Sequence, residues 1–245
     1  MGAILPEAPA ERRAGSNRLL DALPQKSLLR LQRHLHPTEL KPFELIHAAG
    51  AIGEHAYFID RGLVSLVKSM SGGDVVEVGA IGIEGVVGLD FALGLRRAVV
   101  DAVVQLPGVA RRIAAATLRE EMARDDALRQ LLLGYTEAAL DQLAQTAACN
   151  RLHSLEERCS RWLLVAHDNA GSDRFHITHE RLALLLGVQR PGLSITAHGL
   201  QDAGLIEYHN GEMEILDRAG LEARACECYR TVQATFDQLL GPASR

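Results

Sequence analysis

Apolar and polar residues alternate in two rhythms along the chain, and the change of rhythm divides it. From Phe43 to about Ile113 the texture is short runs of period two separated by glycine. They are Tyr57-Phe58-Ile59, Leu63-Val64-Ser65-Leu66-Val67, Val75-Val76-Glu77-Val78 and Val99-Val100-Asp101-Ala102-Val103-Val104. Asp60-Arg61-Gly62, Ser71-Gly72-Gly73-Asp74 and Pro107-Gly108 read as turns between them. Short strands at this spacing predict an antiparallel sandwich or barrel. Ahead of them, Leu20, Leu23, Leu28, Leu31 and Leu35 give a short helical pattern.

From Ala114 to His167 glycine nearly vanishes, Gly134 excepted. Leu128, Leu131, Leu132, Tyr135, Ala138, Ala139 and Leu143 recur there at three- and four-residue steps. The stretch is longer than an ordinary helix, so a break is expected near Asn150. Such a stripe either packs on its own domain or pairs two subunits through a coiled-coil-like seam. Leu128, Leu132, Tyr135 and Ala139 are the expected seam residues.

The segment over 168–220 is the most informative. Thr178 is placed to cap a helix whose Leu182, Leu185 and Leu186 form an inward face, and Gly187 is placed to end it. Pro191 sits where a first helical turn tolerates it, and Leu193, Ala197 and Leu200 give a second inward face. Two short helices around a glycine turn predict a helix-turn-helix. His209-Asn210-Gly211-Glu212 between two alternating runs predicts a hairpin, which makes the unit winged.

Composition narrows the class. The 245 residues are 47% hydrophobic and 23% charged but only 4% aromatic, so an aliphatic core is expected. Apolar runs are too short for a membrane span, and Glu7 interrupts the first stretch, which argues against a secretory signal. Four cysteines in this length are no disulfide framework, and a reduced, cytoplasmic location is expected. The net charge of -5 excludes a wholly basic nucleic-acid binder. Yet residues 174–201 hold Arg174, Arg181, Arg190, His176, His179 and His198 against the single acid Glu180. Such local positive charge suits a DNA backbone.

Ile177-Thr178-His179-Glu180-Arg181-Leu182-Ala183-Leu184-Leu185-Leu186-Gly187-Val188-Gln189-Arg190-Pro191, continuing to Gly199-Leu200-Gln201-Asp202-Ala203-Gly204-Leu205-Ile206, resembles the DNA-binding motif of the Crp/Fnr family of bacterial transcription regulators. The order of strands, long helix and winged helix extends the resemblance over about residues 20–225. It implies an α+β fold: an N-terminal antiparallel β jelly-roll barrel, a long dimerisation helix and a C-terminal winged helix-turn-helix. The expected organisation is a flexible tail over 1–20, an effector domain over 21–116 and the dimerisation helix over 117–150. The DNA-binding domain follows over 151–230 and a tail over 231–245.

The resemblance also implies roles and partners. Arg190 is expected to read bases, with Gln189, Ser194, Ile195 and His198 on the same exposed side and Thr178 and His179 at phosphates. The expected partners are a palindromic DNA duplex with half-sites about one helical turn apart, a second copy of the chain, RNA polymerase and a small-molecule effector, with no membrane. The effector pocket is expected around Gly88, Leu89, Arg96, Arg97 and Leu143. Leu89 falls where nucleotide-binding members place a ribose-binding carboxylate, and leucine accepts no hydroxyl hydrogen bond. A cyclic-nucleotide-responsive regulator is therefore the alternative rather than the expectation. A non-DNA effector-binding or scaffold protein is the other.

Sensing chemistry is narrowed in the same way. The first cysteine is Cys149, so the clustered N-terminal thiolates of the iron–sulfur members are missing. Cys226 and Cys228 read as structural thiols, and His47 and His55 as barrel residues. No metal site and no cofactor are expected. The barrel region lacks the histidine and carboxylate set of a metal-binding cupin, and no Gly-x-Ser-x-Gly, P-loop or His-Glu-x-x-His motif is present. An enzyme is not expected.

Overall fold

In the computed structural model, which describes residues 16–243, the chain opens with α1 (Arg18–Asp21) and α2 (Gln25–Leu31). Residues 1–15 of the expected tail lie outside the described residues, but 16–20 do not behave as a tail. Asn17 is fully buried, and its amide donates to the carbonyls of Ile59 and Gly85 at 2.9 and 2.8 Å. Leu19 and Leu20 enter the core behind it.

The strands follow in one antiparallel sheet: β1 (His36–Leu40), β2 (Leu45–His47), β3 (His55–Ser69), β4 (Val75–Ile81), β5 (Val86–Val87) and β6 (Asp101–Ala114). Their order is β1-β6-β3-β4, with β2 also paired to β6 and β5 to β3. The sheet is not closed, so the expected barrel is an open, folded sheet whose β1 and β4 edges do not pair. Two expected turns are also absent as turns. Asp60-Arg61-Gly62 and Pro107-Gly108 lie inside β3 and β6, facing each other across the ladder where its register shifts. Gly62 has φ +102°, and a Cβ on Gly108 would stand 1.9 Å from the Arg61 carbonyl oxygen. The glycines there serve close backbone approach at a bulge rather than chain reversal.

Beyond β5, α3 (Leu89–Leu93) leads back to β6, after which the helices begin: α4 (Ala115–Arg124), α5 (Asp126–Leu152) and α6 (Leu155–Ala170). Asp125 caps α5 through the Leu128 N–H. The expected break near Asn150 falls at His153-Ser154. There both residues are extended, and Ser154 and Glu157 form a reciprocal capping box that starts α6. The remaining elements are β7 (Arg174–His176), α7 (His179–Leu185), α8 (Arg190–Asp202), β8 (Ile206–His209), β9 (Glu212–Ile215), α9 (Arg218–Arg224) and α10 (Cys228–Leu240). Strands β7, β9 and β8 make a second antiparallel sheet. Among the described residues, no helix is long and apolar enough to cross a membrane.

The expected C-terminal tail is in large part α10, which lies along α5. Phe236 and Leu240 are buried with Leu128, Leu132, Tyr135 and Ala138, and the Tyr135 and Phe236 rings are 6.2 Å apart. A second core runs without interruption from Leu63, Val67, Ala80 and Leu106 of the large sheet, through Trp162 and Leu163 of α6, to Leu182, Leu193 and Met213. The helix-turn-helix is thus packed onto the sheet.

Truncating Phe236 tests whether α10 is part of the fold. Phe236→Ala is expected to cost about 3–5 kcal/mol, as for a buried phenylalanine, measured by urea unfolding. A change within ~0.5 kcal/mol, the size of an ordinary surface effect, would return α10 to the status of a tail.

Candidate nucleic-acid interface

The winged unit forms as its sequence dictates. Thr178 accepts from the Arg181 N–H at 3.1 Å and caps α7. Gly187 takes φ +64° at the turn, and Pro191 occupies the first turn of α8. Asn210 and Gly211, at φ 50° and 86°, close the β8–β9 hairpin with the two left-handed residues its turn requires. Leu193, Ala197 and Leu200 face inward, which turns Gln189, Arg190, Ile195 and His198 to solvent. Ile195 is 74% exposed, an apolar side chain on an otherwise polar helix face.

Three expectations shift with the side chains. His179 is buried rather than free to meet a phosphate. Its ring stacks on Tyr208 with centroids 3.9 Å apart, and its Nδ1 lies 3.2 Å from the Ser194 hydroxyl. Burial lowers its basicity, and the neighbouring His198 and Arg190 lower it further. Ser194 is correspondingly turned toward α7 and away from a base-reading position. Thr178 spends its oxygen as the acceptor at the cap, so only its hydroxyl proton is left for a phosphate.

The basic character is also redistributed. Arg174 pairs with Glu214 at 2.8 Å and His176 with Glu212 at 3.0 Å. Arg181 points into the large sheet, where its Nε donates to the side-chain oxygen of Gln105 at 2.9 Å. Its guanidinium lies over the Phe43 ring. Of the six basic residues counted in the sequence, Arg190 and His198 therefore hold the outward face of α8.

The expected effector residues are not gathered. Gly88 and Leu89 start α3, with Leu89 buried in the helical core. Arg97 donates to the Gly50 carbonyl at 2.6 Å on the surface, and Leu143 lies beside Gly79. Arg96 alone lines a shallow hollow with Ile52, Phe91 and Arg119. A cavity of about 730 Å³ lies elsewhere, between the large sheet and the winged unit, lined by Glu77, Gln142, Arg161, Trp162, Asp168 and Arg218 among others. Sequence reasoning missed it, because its walls come from segments far apart along the chain and no local pattern marks them.

The seam residues are likewise placed inside. Leu128, Leu132 and Tyr135 are buried within the same chain, and Ala139 packs against that core. The side of α5 left to solvent carries Leu133, Leu140, Ala144 and Ala147, with Leu140 62% exposed. Near the end of α5, Cys149 and His153 meet Cys226 and Cys228, whose ligand atoms all lie within 4.8 Å of one another. The hydrogen bond from Cys226 pulls the Cys149 thiol below its ordinary range, with burial opposing.

A winged helix-turn-helix joined through a long helix to an antiparallel sheet defines the fold. Residues 157–224 match the Crp-like helix-turn-helix domain, and the fold is that of Crp/Fnr-type regulators. FixK2 from Bradyrhizobium japonicum is similar with a TM-score of 0.67 and 16% identity, over 78% of this chain and 98% of that one. The transcriptional regulator TTHB099 from Thermus thermophilus gives 0.64 and 21%, over 77% and 96%. The c-di-GMP-responsive regulator CLP from Xanthomonas campestris gives 0.59 and 17%, over 78% and 99%. No curated protein sequence matches the chain significantly.

The buried His179 gives a pH test. Its lowered pKa means that the unfolded chain binds the proton first, so its contribution is full above about 6.5, the ordinary histidine value. That contribution is lost as pH falls through the folded value. Wild type is expected to lose more stability than His179→Gln between pH 7.5 and 5, read as the difference between two urea series. Parallel pH dependences would show that His179 does not titrate with folding.

Proposed function

We propose that the chain is a homodimeric, sequence-specific DNA-binding transcription regulator with a small-molecule effector. The observation that carries this is the outward face of α8, where Arg190, Ile195 and His198 project from a Crp-like helix-turn-helix beside a hairpin wing. Arg190 opens the helix and is the leading candidate to pair with guanine O6 and N7. Ile195 suits a thymine methyl group, the apolar feature of the major groove. Gln189 stands beside Arg190, and His198 one turn beyond Ile195. RNA polymerase is the further partner this reading implies.

The dimer is proposed on the exposed side of α5. Leu133, Leu140, Ala144 and Ala147 follow steps of seven, four and three, which keeps them on one stripe of a helix pair. Two copies joined there bring two α8 helices to a palindrome. The effector site is proposed in the cavity of about 730 Å³, because β4, α5, α6, α9 and α10 all line it, so a ligand there would touch the sheet and the winged unit at once. It holds Arg161, whose buried Nε has no hydrogen-bond partner among the described residues, beside the buried carboxyl of Glu77.

Selection of bound duplexes from a random pool tests the main reading, and failure to enrich any sequence would overturn it. On the selected operator, Arg190→Ala is expected to cost about 1–3 kcal/mol and to relax preference at one symmetric base pair per half-site. Equal losses on operator and scrambled duplexes at one salt concentration would make Arg190 a phosphate contact.

Assembly has a paired test. Leu140→Asp is expected to give a folded monomer with weakened operator binding, because it sets a carboxylate into an apolar seam. Leu132→Asp is expected to unfold the chain, because Leu132 lies inside the protomer and its charge would have no partner. Sedimentation showing Leu140→Asp as an unchanged dimer would remove the seam from this face.

A further inference from the structure

We propose that Cys149, His153, Cys226 and Cys228 form a closed tetrahedral site for a single thiophilic divalent cation of the zinc type. Two segments distant in sequence supply the four ligands. Cys149 lies in the last turn of α5 and His153 caps it, its N–H donating to the Cys149 carbonyl at 3.2 Å. Cys226 lies in the short connection between α9 and α10 and Cys228 opens α10, with Glu227 between them.

The spacing of the donor atoms selects the ion. Bonds of about 2.3 Å to sulfur and about 2.0–2.1 Å to nitrogen in a tetrahedron hold neighbouring donors about 3.5–3.8 Å apart. The Cys149 and Cys226 sulfurs are 3.6 Å apart, and the Cys228 sulfur is 3.5 Å from His153 Nδ1. With every donor within 4.8 Å of the others, one ion fits. An iron–sulfur cluster, which spreads its thiolates over several irons, does not. Three sulfurs and an imidazole leave no open position, which is the composition of a structural zinc site rather than a catalytic one. Soft thiolates also select zinc over magnesium or calcium.

The surroundings complete the site. His153 presents Nδ1 to the cluster while its Nε2 lies 3.2 Å from the Glu227 carboxylate. That is the carboxylate–histidine–metal arrangement that fixes the ring and its tautomer. Gln145 donates to the Cys228 sulfur at 3.0 Å. Three thiolates on a divalent cation leave one negative charge, and Arg158 and Arg161 of α6 lie within electrostatic reach of Cys149 to offset it. The three cysteines are buried together as a small cluster of their own. Cys159 is also buried but belongs to the core of the winged unit, apart from them.

Cobalt titration of the reduced, metal-stripped full chain tests the site without reference to DNA. The expected result is one cobalt per chain, with thiolate-to-cobalt charge transfer and the intense visible bands of tetrahedral coordination, both bleached by zinc. Cys228→Ser and His153→Ala are expected to lose or alter that spectrum, and Cys159→Ser to retain it. Glu227→Gln is expected to keep the spectrum while weakening metal affinity about 10–100-fold. Zinc is expected to raise the melting temperature of wild type and not of Cys228→Ser. Absence of the tetrahedral bands, an unchanged spectrum in Cys228→Ser, or recovery of iron with sulfide would each overturn the proposal. So would a Cys149–Cys226 disulfide in chain purified without oxygen.

Discussion

A carboxyl group buried between the two units, Glu77 of β4, is the constraint around which they meet. It accepts from the Ser65 hydroxyl on the neighbouring strand and from the Trp162 indole N–H of α6 at 3.3 Å. Burial raises its pKa, against the pull of those hydrogen bonds and of Arg161 and Arg181. A buried carboxyl short of partners is costly, and without Trp162 Glu77 would keep only the Ser65 hydroxyl of these two donors. Trp162 in turn is fully buried among Leu163, Leu182 and Leu185. One polar group thereby ties the position of the helix-turn-helix to the integrity of the sheet, and Arg181 reinforces the tie through Gln105.

Helix α5 has three differently covered sides, which explains both what its periodicity reveals and what it hides. Its inward stripe of Leu128, Leu132 and Tyr135 meets α1, α4 and the sheet. A second side meets α10, with Gly134 letting Leu239 approach to 2.8 Å of the place a Cβ would take. Apolar periodicity marks every covered side alike, so the most regular stripe is the chain's own core. The outward stripe, Leu133 to Ala147, is shorter in side chain and interrupted by Glu137. Its distinction is exposure, a property of the fold and not of the pattern.

The same logic separates the legible from the illegible elsewhere. Thr178, Gly187, Pro191 and Asn210-Gly211 act through local backbone geometry, and each stands where the sequence places it. Gly62 and Gly108 act through a partner strand some forty-five residues away, so they read as turns when they are bulges. His179 and Ser194 carry the right chemistry for DNA contact, but Tyr208 of the wing draws the imidazole inward and Ser194 follows it. The paired thiols Cys226 and Cys228 made no ligand set on their own, because Cys149 and His153 reach them only through the packing of α10 on α5.

The joint between α5 and α6 gathers these constraints into a mechanical relation. His153 and Ser154 are two extended residues between two helices, the place where the long helix can change direction relative to the winged unit. The unit beyond the joint is cross-tied to the start of α6. Ser154 and Glu157 cap α6 reciprocally, and Arg158 donates to the Leu186 carbonyl at the end of α7, tying the first turn of α6 to the turn of the helix-turn-helix. A swing about the joint must therefore carry α6, α7 and α8 together, and must peel Trp162 from Glu77 and from Leu63 and Leu106. With the proposed metal bound, one joint residue is itself a ligand, held to α5 by Cys149 and to α10 by Cys228. Bound there, the ion would fix the backbone torsions of His153, the first residue of the joint between α5 and the unit that carries α8.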